Sequence, residues 1–392
     1  MKAIITLEHR FYSYKGELYT LGAFDQKFWK RYLDIFSEVL IVARVRPLLK
    51  LEGNEIRVSS DRIKFYELDS YIGAKQGFMK LPSLKRKLNL LADTNQGAYI
   101  LRIGSPIADL LVPILKKRSI PYAVEVVGDP WDVFAKGAIS HPVRPLLRLY
   151  FAYKLKKQCA GAKFSSYVTE HALQKRYPPR NSVKTINASS INLSKDFLFE
   201  NKTFGRDDFD WVFVGTLEQF QKAPDILIRS FKILLNKHPR ARLNFVGDGR
   251  KRLVLEELAI SLGVQDSIYF HGSVASSEQV REFLVSSPFF VLPSRGEGLP
   301  RAMIEAMACS CLCVGSDIGG IRELIDAEWI APVNDVEQLA QKMIKIMDQS
   351  VEQKNIISSR NFHKAKDYLG DKLEIRRKDF YLSIKNHLEE VL

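Results

Sequence analysis

From residue 211 to residue 325 the chain alternates short runs rich in β-branched and aromatic residues with amphipathic runs of helical period, and few folds accommodate that rhythm. Strands are expected at 211–217, 242–247, 267–272, 289–293 and 311–315, with helices near 222–236, 250–262, 276–286, 299–308 and 319–325. The strand runs are apolar throughout instead of alternating with polar residues, which is the pattern of strands covered on both faces. Strands separated by helices imply crossover connections, and hence a parallel sheet wrapped by helices.

The first half repeats the pattern more loosely. Strands are expected at 2–7, 38–43, 98–103, 122–127 and 163–168, and helices at 24–36 and 107–117. A chain of 392 residues is longer than one core usually serves, so two domains are expected. The polar and aromatic stretch 196–210, with Gly205 and an acidic run from Asp207 to Asp210, reads as the linker. The expected organisation is α/β, with Rossmann-like doubly wound domains over residues 1–200 and 206–365 facing across a cleft. The tail over 366–392 is helical in composition, and a C-terminal helix crossing back to the first domain is one arrangement open to it.

Charge is distributed unevenly. Residues 1–205 hold 34 Lys/Arg against 18 Asp/Glu, whereas residues 206–392 hold 25 against 27. A basic half suits nucleic acid, an anionic membrane or an acidic substrate. No zinc-finger or RNA-recognition signature is present, and a neutral second half with phosphate-loop character argues against a nucleic-acid binder. The stretches 79–91 and 143–164 place lysines and arginines among leucines and aromatics, the composition of membrane-surface helices. Cys159, Cys309, Cys311 and Cys313 make neither a disulfide framework nor a zinc site and read as buried free thiols, the last three alternating along a strand. With no secretory signal pattern and no apolar run long enough to span a bilayer, the expected location is the cytoplasm, peripheral at most to a membrane.

The segment from Val291 to Ile325 carries the chemistry, beginning Pro293-Ser294-Arg295-Gly296-Glu297-Gly298-Leu299-Pro300-Arg301-Ala302-Met303-Ile304-Glu305-Ala306-Met307-Ala308. A buried strand ends at Pro293, a glycine-flanked loop follows, and Pro300 stands at the expected first position of a helix, where a missing amide costs nothing. The amides of Arg301 and Ala302 then point out from the strand ends, where an open α/β sheet binds ligands and a helix N-terminus favours an anion such as a diphosphate. Glu297, just ahead of that helix, repels phosphate unless it faces something neutral and rich in hydroxyls, and a sugar fits. Glu305 shares the helical face of Arg301 and leans back toward the N-terminus, within reach of a ribose diol.

The spacing of Glu297 and Glu305, followed by Gly319-Gly320-Ile321-Arg322-Glu323-Leu324-Ile325, resembles the donor-site signature of the retaining GT4 glycosyltransferases. The resemblance extends to Phe213-Val214-Gly215-Thr216-Leu217 with Lys222, and to Phe245-Val246-Gly247-Asp248-Gly249. It implies the two-domain GT-B fold and a nucleoside diphosphate sugar as donor. Glu297 would contact the transferred sugar and Glu305 the ribose. The amides of Gly298, Leu299 and Arg301 would meet the diphosphate, with Lys222 as the cation beside Gly215 and Thr216. Thr216 stands where the family commonly has an arginine, so diphosphate neutralisation would rest on Lys222 and the helix amides, or on a substitute such as Arg295 or Arg301. His9 and Asp129, after first-domain strands, are candidates for the acceptor side.

The activity so implied is transfer of a hexosyl group with retention to a saccharide, lipid-linked in one version, in the synthesis of a surface polysaccharide or glycolipid. No cofactor or metal is expected. Asp208-Phe209-Asp210 resembles the metal triplet of the other large glycosyltransferase fold but falls in the linker. A sugar-nucleotide epimerase, a sugar phosphorylase and a non-catalytic nucleotide-sugar-binding subunit share the fold and remain open at this point.

Overall fold

The structure of the protein, a computed structural model, describes residues 1–134, 143–200, 202–205, 209–274 and 276–391. Among these residues the first half forms one sheet of β1 (Lys2–Tyr14), β2 (Glu17–Thr20), β3 (Glu38–Pro47), β4 (Ile56–Arg57), β5 (Ile63–Asp69), β6 (Ala98–Ile103), β7 (Tyr122–Val126), β8 (Phe164–Tyr167) and β9 (Lys184–Asn187). Its body runs β5-β3-β1-β6-β7-β8-β9 with every pair parallel, while β2 and β4 add an antiparallel flap to the far end of β1. The helices of this half are α1 (Gln26–Leu33), α2 (Gly73–Thr94), α3 (Pro106–Lys117), α4 (Pro130–Val133), α5 (Arg144–Gly161) and α6 (Ala172–Arg176).

The second sheet comprises β10 (Asp210–Val214), β11 (Arg242–Val246), β12 (Ile268–Phe270), β13 (Phe289–Leu292), β14 (Leu312–Ser316) and β15 (Ile330–Ala331). Its order is β12-β11-β10-β13-β14-β15, parallel throughout. Around it lie α7 (Pro224–Lys237), α8 (Arg252–Ser261), α9 (Ser277–Ser286), α10 (Arg301–Ala308), α11 (Ile321–Leu324) and α12 (Val336–Met347), with α13 (Val351–Ala365) packed on α10. In each sheet the winding reverses beside the first strand, between β1 and β6 and between β10 and β13. Crevices open outside the carboxyl ends of strands at such reversals.

The five strands and five helices expected in the second half are all present, with ends displaced by a few residues. The first half departs more. β1 runs on to Tyr14 through a register shift between Thr6 and Arg10, and β5 and β9, at the two edges of the parallel body, were not expected. Edge strands are covered on fewer sides and so lack the continuous apolar run that marks the centre. The four cysteines are buried and free, but only Cys313 lies on a strand, since Cys309 is the C-cap of α10 and Cys311 precedes β14. The proposed linker falls partly outside the described residues, including Asp207 and Asp208; Asp210 opens β10 and pairs with Arg242 at 2.7 Å.

The C-terminal segment does cross back. Gly370 N–H donates to the Leu193 carbonyl at 2.9 Å, and α14 (Gly370–Val391) then lies over the first sheet beside α1. Phe380, Tyr381, Ile384 and Leu388 join Trp29, Tyr32 and Phe36 in a core on that outer face. At its centre Glu125 is buried, accepting from the Tyr381 hydroxyl at 2.6 Å, the Tyr32 hydroxyl at 2.9 Å and the Arg102 guanidinium at 2.7 Å. Burial pushes this carboxyl up, but Arg102 and the two tyrosines outweigh burial and hold it below the usual carboxylate range. A depressed folded value means the stabilisation is complete above the unfolded value of about 4.3 and is lost as pH falls through the folded one. Glu125→Gln leaves Arg102 buried without its counter-charge and is expected to cost about 3 kcal/mol or more in urea unfolding at neutral pH. The gap from the parent should close on acidification; a neutral-pH difference below about 1 kcal/mol would contradict this account.

Candidate functional site

The C-terminal wall of the cleft is made where β10 and β13 end side by side. After β13 the loop from Ser294 to Pro300 leads into α10, with Pro300 as N-cap, one residue ahead of the expected position. Proline offers no side-chain acceptor, and no side chain caps the helix, so the first-turn amides keep their donors for the cleft. Lys222 ends a short 3₁₀ turn that Ala223, at φ +50°, closes just before Pro224 opens α7. Its Nζ lies 3.0 Å from Glu297 Oε1, which also accepts from Ser294 Oγ at 2.7 Å.

Glycines make this approach possible. A Cβ on Gly215 would collide with the Lys222 side chain. Gly319, at φ +52°, lies so close beneath the Glu297 carbonyl that any Cβ would strike it, and Gly320 N–H donates to the Gly298 carbonyl at 2.7 Å. The two halves of the sequence signature therefore hold one another. Gln221 adds a bond from its side-chain amide to the Gly296 carbonyl at 3.1 Å.

Gly215, Thr216, Lys222, Glu297, Gly298, Leu299, Arg301 and Glu305 all line one cleft of about 1470 Å³ between the domains. Glu305 is half-buried, and burial raises its carboxyl pKa while Arg301 and then Lys222 oppose the rise. Thr216 is exposed and accepts from the Glu218 N–H at 3.2 Å. Arg295 is not a substitute cation. It is buried, clamped on both oxygens of Asp225 at 2.7 Å and bonded to the Phe220 carbonyl and Asn334, so it braces the Lys222 turn from behind. Arg301 is exposed on the cleft wall.

On the opposite wall the two acceptor-side candidates fare differently. His9 does not line the cleft, because β1 continues past it; its Nε2 lies 2.8 Å from Thr20 Oγ1 and its ring packs on Phe11 and Phe24. Asp129 does line it, but its carboxylate caps α4 through the Trp131 N–H and takes the Arg176 guanidinium and the Tyr177 hydroxyl. Asp132, buried beside Asp129, is pushed up to about 7 by burial and by the neighbouring carboxylate. The same wall carries Arg31 of α1, Arg102 of β6 and Arg377 of α14. Their numbers lie 71 and 275 positions apart in a chain read linearly, and no local spacing marks them.

The signature also docks the domains. Glu323 accepts from the N–H groups of Glu170, His171 and Ala172 at 2.6, 2.9 and 2.6 Å, capping α6 from the other domain, and Lys364 pairs with Glu170 at 3.2 Å.

The family described as glycosyl transferases group 1 matches residues 208–349, the domain that supplies the Lys222, Glu297 and Glu305 wall. Protein CapJ of Staphylococcus aureus is 26% identical over 381 residues, covering 96% of this chain and 94% of that protein. The fold is shared with sucrose-phosphate synthase from Thermosynechococcus elongatus, at a TM-score of 0.72 and 14% identity over 99% of this chain and all of the other. It is shared too with the Anabaena protein HepE in complex with UDP, at a TM-score of 0.63 and 13% identity over the full length of both. The chain is a glycosyltransferase of GT-B fold, with residues 208–349 matching the group 1 glycosyltransferase family.

Proposed function

We propose that this enzyme moves a hexosyl group from a nucleoside diphosphate sugar to a saccharide hydroxyl, with retention of anomeric configuration, on a lipid-linked acceptor at an anionic membrane surface. The observation that carries the donor half is the Lys222–Glu297 pair at the uncapped start of α10, with Glu305 one turn further in. A diphosphate entering there meets one ammonium and the amides of Gly298, Leu299 and Arg301, leaving Glu297 for sugar hydroxyls and Glu305 for the ribose.

The bond from the anomeric carbon to the phosphate oxygen breaks, the acceptor oxygen attacks from the same face, and its proton passes to the departing phosphate. Lys222 and the amides stabilise the charge that develops on that phosphate. This reading needs no metal, so turnover should persist in EDTA; loss of turnover on chelation would count against it.

The membrane half rests on α5. Leu146, Leu149, Tyr150 and Tyr153 are spaced along one face and each more than half exposed, with Lys154 and Lys157 over the Tyr150 and Tyr153 rings at 5.5 and 5.4 Å. Apolar and aromatic residues flanked by lysines are what an interfacial helix requires. Among the described residues no helix is long and apolar enough to cross a membrane.

Two experiments test the halves separately. A thermal-shift panel of nucleoside diphosphate sugars should identify the donor; Lys222→Ala should lower transfer by about 10²–10³-fold in a folded protein, and retention of most activity would defeat the site. Pelleting with phosphatidylserine vesicles should succeed at low salt, fail at high salt and weaken in Leu149→Glu; failure at low salt removes the membrane.

A further inference from the structure

We infer that the acceptor carries an oxyanion, a phosphate or a carboxylate, which Arg31 and Arg377 bind on the N-terminal wall of the cleft. The inference rests on the transferase reading above and adds the chemical class of its second substrate. Arg31, Arg102 and Arg377 line both the main cleft and a recess that opens from it, where Ser166, Ser189 and Ser190 also stand. Among the described residues the only carboxylate in the lining of that recess is Glu125, and its oxygens are already taken by Arg102, Tyr32 and Tyr381.

Arg31 and Arg377 are thus left over. Among the described residues neither makes an ion pair: Arg31 lies over the Phe28 ring at 4.4 Å, and Arg377, 8% exposed, donates to the Ser189 carbonyl. Burial lowers the Arg377 pKa, and the next cause is the like charge of Arg31. Arg31 is half-buried and Arg377 buried, and the anion that both feel, Glu125, already has its oxygens bonded to Arg102, Tyr32 and Tyr381. Two neighbouring guanidiniums with no carboxylate bonded to either mark a place prepared for an anion. Asp34 and Glu374 line the cleft but not the recess, and Asp25 and Asp371 are engaged with the Phe28 N–H and Lys195.

Size and position define the role. The recess opens over about 20 Å³, room for atoms the size of one or two waters and too little for a sugar ring. An oxyanion can therefore place its oxygens there while its sugar stays in the cleft. Val127, which lines both spaces, abuts Gly298: a Cβ on that glycine would stand 3.1 Å from the Val127 carbonyl. The anchored acceptor then lies against the loop that carries Glu297. The donor diphosphate is met across the cleft, by Lys222 and α10, and does not compete for these arginines.

The test is titration calorimetry on the full chain, saturated with the nucleoside diphosphate that stabilises it, using glucose 6-phosphate, glucuronate and glucose. At least one charged sugar should bind about tenfold or more tightly than glucose, and which one does so names the anion. Arg31→Gln should lower that affinity about tenfold without changing nucleotide affinity, and Arg377→Lys should lower it less. Among the described residues the Arg31 side chain makes no hydrogen bond, so its variant reports on binding even if changes at the buried Arg377 disturb α14. Equal affinity for all three sugars, or unaltered affinity in Arg31→Gln, overturns the inference. Nucleotide binding is read separately, so failure of the donor site shows as loss of that signal instead.

Discussion

The ion pair of Lys222 with Glu297 is the contact on which the rest of the site turns. It joins the turn after β10 to the loop after β13, the two strand ends that flank the reversal of winding in the second sheet. With side-chain exposures of 22% and 13%, it is shielded enough to hold its geometry and open enough to exchange partners. In the reaction proposed above a diphosphate at α10 would offer the ammonium a second anion, while Ser294 holds the carboxylate. Gly215 and Gly319 set how closely the backbone can approach this pair, and Arg295 fixes the turn beneath it through Asp225.

A site of this kind is complete only when both domains face it. Glu323, Lys364 and the Gly296–Gly298 loop bring the second domain against the first, so close that a Cβ on Gly296 would stand 3.0 Å from the Asp132 carbonyl. Polar contacts at a cleft rim are modest in energy, so relative motion of the domains is the natural expectation. α14 limits that motion by sealing the outer face of the first sheet after the chain has left the second domain. Because Arg377 sits on α14 and Arg31 on the helix it packs against, the same strap that holds the domains together also assembles the cationic wall.

Basic side chains cluster at two places on the first domain, the second of them completed by Arg377 from the C-terminal helix. One is the outer surface of α5, where lysines flank exposed aromatic rings; the other is the inner recess, where guanidiniums face the cleft. Linear composition could register the sum but not this division, since a lysine on a surface helix and an arginine in a recess count alike. His9 shows the same limit from the other side. Its position after an apparent strand end suited an acceptor contact, yet β1 continues through it, because beyond the register shift the strand goes on pairing with β3 and then takes β2 on its other side.

What the sequence determined alone is the second domain and the cleft wall of Lys222, Glu297 and Glu305. Its strands are buried on both faces and the loop ahead of α10 needs particular glycines at particular spacings, so both constraints act over a few residues and leave a local record. The tertiary structure decided the opposite wall, the fate of Arg295 and the use of Glu323 as a cap on α6. Each depends on residues brought together from distant parts of the chain, where a side chain's role follows from what packs against it, and neither periodicity nor spacing carries that information.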